Sequence, residues 1–198
     1  ILPDGRVESC GNFHGAPLGF ACDFLAIATS ELSAIAERRT DRLLDASRSY
    51  GLPPFLTTDA GVNSGLMIAQ YTQAAMAVEN KRLATPASVD SLPTSAMQED
   101  HVSMAWGAAR KLRRSIDNLR RILAIELMCA GAALDLRAPL LPAPGTGAAL
   151  AALRTRVAGP GPDRWLSPEL LAAEELLRSG AVLTAVTAAV GPLRSDDR

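Results

Sequence analysis

The sequence has few aromatic residues and no excess of charge of either sign. Its 198 residues include four Phe, two Trp and two Tyr, and 20 basic side chains are balanced by 21 acidic ones. So few aromatic rings leave little for stacking on bases, and a formal net charge of -1 creates no field that draws the chain to a polyanion. We therefore expect no nucleic-acid partner.

Cysteine is also scarce. Cys10, Cys22 and Cys129 are odd in number and widely spaced, which is typical of reduced thiols in a cytoplasmic protein rather than of a disulfide framework. Cys10 and Cys22 could be combined with His14 and His101 as zinc ligands, but no Cys-x-x-Cys pair supports such a site. We expect no metal.

Three other features are missing. No period-2 alternation of polar and apolar residues is sustained, which excludes a half-buried sheet. No apolar run reaches the length of a membrane span, because Glu126 and Asp135 interrupt the best candidate. The chain opens at Ile1 without an initiator Met or a signal segment, so we expect a soluble, cytoplasmic piece of a longer protein without a membrane partner.

Apolar residues, in contrast, are abundant and recur at helical spacing. Hydrophobic residues make up 48% of the chain, enough to fill a core. One stripe predicts a helix over 102–134, which at 1.5 Å per residue is on the order of 50 Å long and needs partners along its length. The stripe consists of Val102, Trp106, Ala109, Leu112, Ile116, Leu119, Leu123, Leu127, Ala130 and Leu134.

Four further helices are predicted from the same spacing and from helix start and stop signals. They cover 17–44, 65–83, 148–157 and 167–179. In the first, the face expected to be buried is Ala21, Leu25, Ala28, Leu32, Ile35, Arg39 and Leu43. In the second it is Met67, Tyr71, Ala74 and Val78. The predicted fold class is all-α, a long antiparallel helical bundle, with a polar tail at the C terminus.

The polar segment Gln98-Glu99-Asp100, directly before the long stripe, has two interpretations. Acidic residues favour the positive N-terminal end of a helix and cap its free N–H groups. Alternatively, a carboxylate at a helix start that faces a cleft acts as a general base or binds a cation. The spacing by itself favours capping.

The loop Gly11-Asn12-Phe13-His14-Gly15 also has two interpretations. Its glycines allow a tight bend that presents Phe13 and His14 to a pocket. In the other interpretation, Phe13 belongs to the core and His14 caps a backbone group. The composition of the loop by itself favours this structural interpretation.

Basic side chains are concentrated on the predicted long helix. They lie opposite its apolar stripe, which is typical of solvated or interface charges rather than of a phosphate-binding surface. They are Arg110, Lys111, Arg113, Arg114, Arg120 and Arg121, against the single acid Asp117.

The chain resembles, over nearly its whole length, the C-terminal part of the aromatic amino acid lyases, and specifically of histidine ammonia-lyases, and six segments in the same order carry the resemblance. They are GNFHG at 11–15, ERR at 37–39, GLPPFL at 51–56, VNSGLMIAQ at 62–70, PASVDS at 86–91 and QEDHVSM at 98–104. The related phenylalanine and tyrosine lyases carry Asn-Gln-Asp-Val-Asn-Ser at the last of these points, so the resemblance favours a histidine substrate.

The resemblance implies a function and a set of site residues. It implies an enzyme that removes ammonia from L-histidine to give trans-urocanate, the first step of histidine degradation, and that works as a homotetramer with active sites shared between subunits. It implies that Glu99 is the catalytic carboxylate and that Phe13, His14 and Gln98 bind substrate. The implied fold is the ammonia-lyase/fumarase-aspartase bundle, with central bundle helices to about 137 and a C-terminal helical segment over about 138–198.

The resemblance also implies a cofactor. The electrophile of the family is a methylidene-imidazolone made from an internal Ala-Ser-Gly, and this tripeptide does not occur in the sequence. We therefore expect it in an N-terminal part outside this chain, and we expect the fragment by itself to be inactive. Elimination also needs a positioned base, or an anion that steadies the imidazole, and both roles stay open for Glu99. The alternatives are an aminomutase of the same fold and a non-catalytic helical oligomerisation module.

Overall fold

A computed structural model describes residues 1–193, and within this range the chain forms six α-helices and no strand. They are α1 (Ala16–Leu44), α2 (Met67–Leu83), α3 (Ala105–Asp135), α4 (Pro144–Arg154), α5 (Ser167–Arg178) and α6 (Ala181–Val190). Single 3-10 turns at Pro54–Leu56 and Ser95–Met97 lie in the connections. The prediction of an all-α fold is confirmed. The predicted polar tail falls on the remaining residues, which lie outside the described range.

The helix ends show which local signals were correctly interpreted. A proline lies in the first turn of α1, α4 and α5, where its missing N–H is not needed. In α4 this signal was not used, and the helix covers Pro144–Arg154 rather than the predicted 148–157. The long helix starts at Ala105 rather than at 102, because the preceding residues form a non-helical loop. Helix α6 was not predicted. It follows α5 directly, and Gly180 at φ 74° allows the turn between the two.

Three helices form the main bundle. Gly19 of α1 lies against Ala105 at the start of α3, and Arg39 near the other end of α1 pairs with Glu126 of α3. The two helices therefore run in the same direction. Helix α2 packs against both and runs antiparallel to them, because Gln73 contacts Ile122 whereas Asn80, later in α2, contacts Ser115, earlier in α3. The N-terminal ends of α1 and α3 thus lie side by side.

The faces that these three helices bury are not the predicted ones. The expected apolar faces of α1 and α2 are largely exposed, including Leu25, Leu32, Ile35 and Tyr71. On α3 the exposed stripe members include Trp106, Ile116 and Leu123. Small and polar side chains are buried instead: Asp23, Ser33, Glu37, Thr40, Gln73, Asn80, Ser115 and Asn118.

The buried polar groups are connected by hydrogen bonds between all three helices. The Asn80 amide donates to the Ser33 hydroxyl over 2.8 Å and to the Ser115 carbonyl over 3.1 Å. The Asn118 amide donates to Asn80 Oδ1 over 3.0 Å and to a Glu79 carboxylate oxygen over 2.7 Å. Because a buried amide without partners is costly, this network fixes the register of the three helices.

The C-terminal helices pack around an ordinary apolar core. Leu153 of α4 is completely buried, and it belongs to a cluster formed by the second half of α3, α4 and α5: Ala124, Met128, Leu153, Val157, Ala173 and Leu176. Cys129 lies in the adjoining cluster, where burial raises the pKa of its thiol to about 12. It forms no disulfide with either of the other two cysteines, which the structure also describes.

By length and composition, α1 could cross a membrane, since an 18-residue window has a mean hydropathy of 1.4. The sequence analysis was therefore wrong to place the best candidate in the segment interrupted by Glu126 and Asp135. Helix α1 buries Glu37 against α2, where the Gln70 amide donates to its carboxylate over 3.0 Å. Charged contacts of this kind are those of a bundle helix.

Candidate active site

The candidate site lies where the N-terminal ends of α1 and α3 meet. A Cβ added to Gly15 would lie 3.0 Å from the Ala105 Cβ and 3.2 Å from the Ser103 hydroxyl, and one added to Gly19 would lie 3.3 Å from the Ala105 backbone. The absence of a side chain at these two positions therefore allows α1 and the loop before it to approach α3 closely. This approach brings the 11–15 loop to the segment that carries Gln98 and Glu99.

The two histidines of the sequence meet at this point. The rings of His14 and His101 lie 5.4 Å apart between centroids, tilted by 37°. Phe13 packs edge-on against His14, with the centroids 6.5 Å apart. The structure thus brings together Phe13, His14 and the loop that ends in His101, although nearly 90 residues separate them in the sequence.

Phe13 does not belong to the core. Its side chain is 84% exposed, so the interpretation of Phe13 as a buried core residue is wrong. An aromatic ring held in the open beside two imidazoles forms a surface that another element or a ligand can cover.

Glu99 and Asp100 do not cap α3. Five residues separate Glu99 from the start of the helix, and the first turn of α3 contains no acid. The first N–H of the helix, that of Ala105, donates to the Ser103 hydroxyl over 3.2 Å. The capping interpretation, which the spacing favoured, is therefore wrong. Both carboxylates are exposed, and within residues 1–193 the Glu99 carboxylate forms no ion pair or hydrogen bond.

A strained turn presents Gln98 and Glu99. Ser95, Ala96 and Met97 have φ of 51°, 51° and 73°, the left-handed region that side chains disfavour. Three such residues in succession persist only where their surroundings hold them, and strain of this kind is typical of functional sites. Directly around the turn, Thr94 and Glu99 exchange backbone hydrogen bonds of 2.9 and 3.3 Å.

A second candidate surface lies at the other end of the bundle. A groove of about 570 Å³ is lined by Leu43, Leu134 and several arginines. Its arginines already have partners: Arg39 pairs with Glu126, Arg48 with Asp41, and Arg137 donates to the Ser49 carbonyl. Groups that are already paired have less to offer an anionic ligand, so the end with the free Glu99 carboxylate is the better candidate.

Most of the basic run on α3 is also paired. Lys111 pairs with Asp23, Arg114 with Glu79, Arg120 with Asp117, and Arg121 with Glu174 of α5. Lys111 is partly buried rather than solvated. These contacts give the basic residues a structural role within the chain.

The sequence and the helical bundle both match a known class of enzyme. The sequence model of the aromatic amino acid lyases matches residues 2–155. The chain belongs to the aromatic amino acid lyase family.

The relatives give a more specific likeness. The chain is 64% identical to the histidine ammonia-lyase of Streptomyces avermitilis over 194 residues, which is 98% of this chain and 38% of that protein. Among solved structures, histidine ammonia-lyase from Trypanosoma cruzi is similar with a TM-score of 0.90 and 39% identity, over 100% of this chain and 42% of that one. The chain therefore spans well under half the length of the relatives it matches.

An aminomutase has the same fold. The tyrosine aminomutase of Streptomyces globisporus superposes with a TM-score of 0.91 at 34% identity, over 98% of this chain and 37% of that one. The backbone therefore does not separate elimination from amine migration. The distinction between them has to come from side chains.

Two residues of this region, Asp23 and Ser91, escaped the sequence analysis. Asp23 is the only acid of α1 before Glu31 and lies among apolar residues. An isolated acid on an apolar helix was the available signal for a buried contact. Ser91 ends the PASVDS segment at 86–91, which carries part of the family resemblance, but no role was assigned to it.

Proposed function

We propose that this chain is part of an enzyme that eliminates ammonia from L-histidine to give trans-urocanate in the cytoplasm, and that the loop end of α1 and α3 forms one wall of the active site. The observation that supports this most is the convergence of the GNFHG and QEDHVSM segments, both part of the likeness to histidine ammonia-lyases, at one end of the bundle.

In this proposal Glu99 acts on the substrate directly. The β-proton of histidine is weakly acidic, and its removal needs a base held within reach, or an anion that steadies the imidazole ring as charge develops. An exposed carboxylate without a competing partner, on a loop of fixed shape, is suited to either role. Gln98, His14 and Phe13 are proposed to contact the substrate beside it.

A methylidene-imidazolone would supply the electron sink for the amine. The residues present fit such a group, because the wall formed by Phe13 and Glu99 is open and leaves room for a segment that carries it. We propose that this segment is the Ala-Ser-Gly of an N-terminal part outside this chain. Phe13, His14 and Gln98 would bind and orient the substrate, and the Glu99 carboxylate would either accept the β-proton or steady the imidazole.

The working enzyme is proposed to be a homotetramer. The exposed apolar faces of α1, α2 and α3 are more extensive than a single soluble chain normally leaves uncovered. Copies of the protein, together with its N-terminal part, would cover them.

The substitution Glu99→Gln in the full-length protein tests the assignment. It keeps size and hydrogen bonding but removes charge and basicity, so kcat for urocanate formation should fall by roughly 10² to 10⁴. The matched control is Asp100→Asn, the neighbouring exposed carboxylate, which should change kcat far less. A Glu99→Gln enzyme with normal kcat would remove the assignment.

The aminomutase alternative is favoured by the structural likeness to tyrosine aminomutase. Product analysis distinguishes the two reactions. Release of ammonia together with a conjugated product absorbing in the ultraviolet supports elimination, whereas a β-amino acid without net ammonia release supports the aminomutase.

A further inference from the structure

The loop that presents Glu99 is attached to the bundle by a buried charge. Asp23 of α1 is 3% exposed. One of its carboxylate oxygens accepts the backbone N–H of Ala87 over 2.8 Å and that of Ser88 over 2.7 Å. The Lys111 ammonium of α3 lies 3.0 Å from the other oxygen. Asp23 therefore joins α1, α3 and the start of the loop.

The surroundings keep this carboxylate ionised. Burial by itself raises the pKa of Asp23, but the backbone N–H and hydroxyl of Ser88 and the Lys111 ammonium together outweigh burial and hold the pKa below its ordinary value. A buried ion pair contributes little to stability compared with apolar side chains of the same size, and its known benefit is to fix one geometry. The geometry fixed here is that of the loop.

A second contact closes the loop at its neck. The Ser91 hydroxyl accepts the N–H of Val102 over 3.0 Å and donates to the Val102 carbonyl over 3.0 Å. One side chain thus replaces a pair of backbone hydrogen bonds across eleven residues. This contact holds together the two ends of the segment between Ser91 and Val102, which contains the strained turn and Glu99.

The strain gives the two contacts a consequence at Glu99. The three left-handed residues at 95–97 would relax to ordinary backbone angles if the loop were free. Because Glu99 follows directly and exchanges backbone hydrogen bonds with Thr94 across the turn, relaxation would displace its carboxylate. The Asp23 contact holds the start of the loop at 87–88, and the Ser91 contact joins residues 91 and 102 on either side of the strained turn. Both contacts therefore oppose that relaxation.

We propose that Asp23 and Ser91 are positioning residues that hold the 91–102 loop in the strained shape that places Glu99 against the substrate. This inference rests on the proposed function for its effect on catalysis. Its structural half, that the two side chains set the shape of the loop, stands independently of the reaction.

The principal test is Ser91→Ala in the full-length protein, with Ser91→Thr as the variant that keeps the hydroxyl. The matched control is Ser49→Ala, a buried loop serine that donates to the Leu52 carbonyl beyond the far end of α1. Loss of the Ser91 hydroxyl should lower kcat about 10- to 100-fold, the effect of misplacing a catalytic group by about an ångström. Ser91→Thr should restore most of the rate, and Ser49→Ala should leave it unchanged.

A double variant separates positioning from a general loss of structure. If Ser91 acts through Glu99, adding Ser91→Ala to Glu99→Gln should lower kcat little further, because the group being positioned is already disabled. Fully multiplicative effects of the two changes would overturn the proposal. The companion variant Asp23→Asn keeps the size of the side chain and should behave like Ser91→Ala.

Hydrogen exchange gives a readout that does not depend on activity. The backbone amides at 94–101 should exchange faster in Ser91→Ala than in the unaltered protein, with no such change in Ser49→Ala. Unchanged exchange at 94–101 would overturn the proposal whatever the kinetics. If the unaltered protein forms no urocanate, the proposed function fails, and the exchange measurement still decides whether Ser91 holds the loop.

Discussion

The first half of the bundle and the C-terminal helices bury opposite kinds of side chain. In the first region, formed by α1, α2 and the N-terminal half of α3, amides, hydroxyls and carboxylates lie inside and many large apolar side chains lie outside. In the second, formed by the rest of α3 with α4 and α5, aliphatic side chains fill the interior. Large apolar side chains are exposed in both regions, including Leu32 and Ile35 in the first and Trp165 and Leu171 in the second. The two regions therefore differ in what fills their interiors. We propose that the first region is a layer inside a larger assembly.

This difference has a physical reason. Polar side chains inside a bundle specify one register, since each needs a particular partner. Apolar side chains on the outside provide the free energy of association once another surface covers them. The candidate active site lies in the first region, at the end where its loops are also open. A site shared with other parts of the protein is what such a layer would be expected to carry.

The largest expected effect comes from placing a charge on each outer face. Leu32 of α1 and Leu171 of α5 are similarly exposed, at 56% and 62%. If only the first region is covered in the full-length protein, Leu32→Asp should weaken assembly by roughly 10³-fold or more, because it forfeits apolar burial and buries a charge. Leu171→Asp should leave assembly intact. Light scattering and sedimentation measure both, and equal behaviour of the two variants would abolish the distinction between the regions.

The next effect in size concerns the two interiors. Leu153→Ala removes a fully buried side chain from the apolar core and should lower the free energy of unfolding by about 2 to 5 kcal/mol. Asn80→Ala should lower it by about 1 to 3 kcal/mol, since Ser33 still donates to the Thr29 carbonyl and Asn118 to Glu79.

Leucine at residue 80 sharpens this comparison. Asn80→Leu should be less stable than Asn80→Ala, because leucine sets methyl groups against the Ser115 carbonyl and the Asn118 amide, whereas alanine leaves space for water to reach them. At residue 153 the order is reversed, because the unaltered protein with leucine should be more stable than Leu153→Ala. Chemical denaturation of the four proteins measures both orders. If leucine gave the more stable protein at both positions, or alanine at both, the two interiors would be alike.

The same contrast explains what the sequence could predict. Helix positions followed from spacing, prolines and glycines, which act locally, and five of the six described helices were predicted. Which face is buried was predicted wrongly for α1, α2 and α3, because the prediction assumed that apolar side chains point inward. That assumption holds where water surrounds the fold. In the proposed assembly, other surfaces cover the outer face that carries Leu32 and Ile35.

The candidate site was predictable only in part. Phe13, His14, Gln98 and Glu99 were identified through resemblance to a family, and the structure brings the segments that carry them together. The strained turn at 95–97 could not be predicted, since serine, alanine and methionine carry no preference for left-handed angles. Helix α6 was missed because its ten residues are apolar on all sides and have no periodic pattern.

The smallest expected effect is on the pH dependence of stability. It compares one carboxylate from each region, Asp23 and Glu175, by how steeply the unfolding free energy falls on acidification when each is replaced. In the folded protein the pKa of Asp23 lies below its ordinary value of 3.8. Its contribution to stability is therefore complete above pH 3.8 and is lost as the pH falls through the lower, folded-state pKa. Asp23→Asn removes this contribution, so its unfolding free energy should fall less steeply on acidification below about pH 5.

Glu175 of α5 provides the comparison. Hydrogen bonding to Arg178 also lowers its pKa, but the pair lies at the surface, with the Glu175 side chain 45% exposed and the Arg178 side chain 61% exposed. Salt screens an exposed pair far more than a buried one. In physiological salt the unfolding free energy of Glu175→Gln should therefore fall on acidification as steeply as that of the unaltered protein. The less steep fall expected for Asp23→Asn should persist in the same salt. If salt removed the effects of Asp23→Asn and Glu175→Gln equally, Asp23 would be as well hydrated as a surface group. The interior of the first region would then not be shielded from water, and its contrast with the second region would fail.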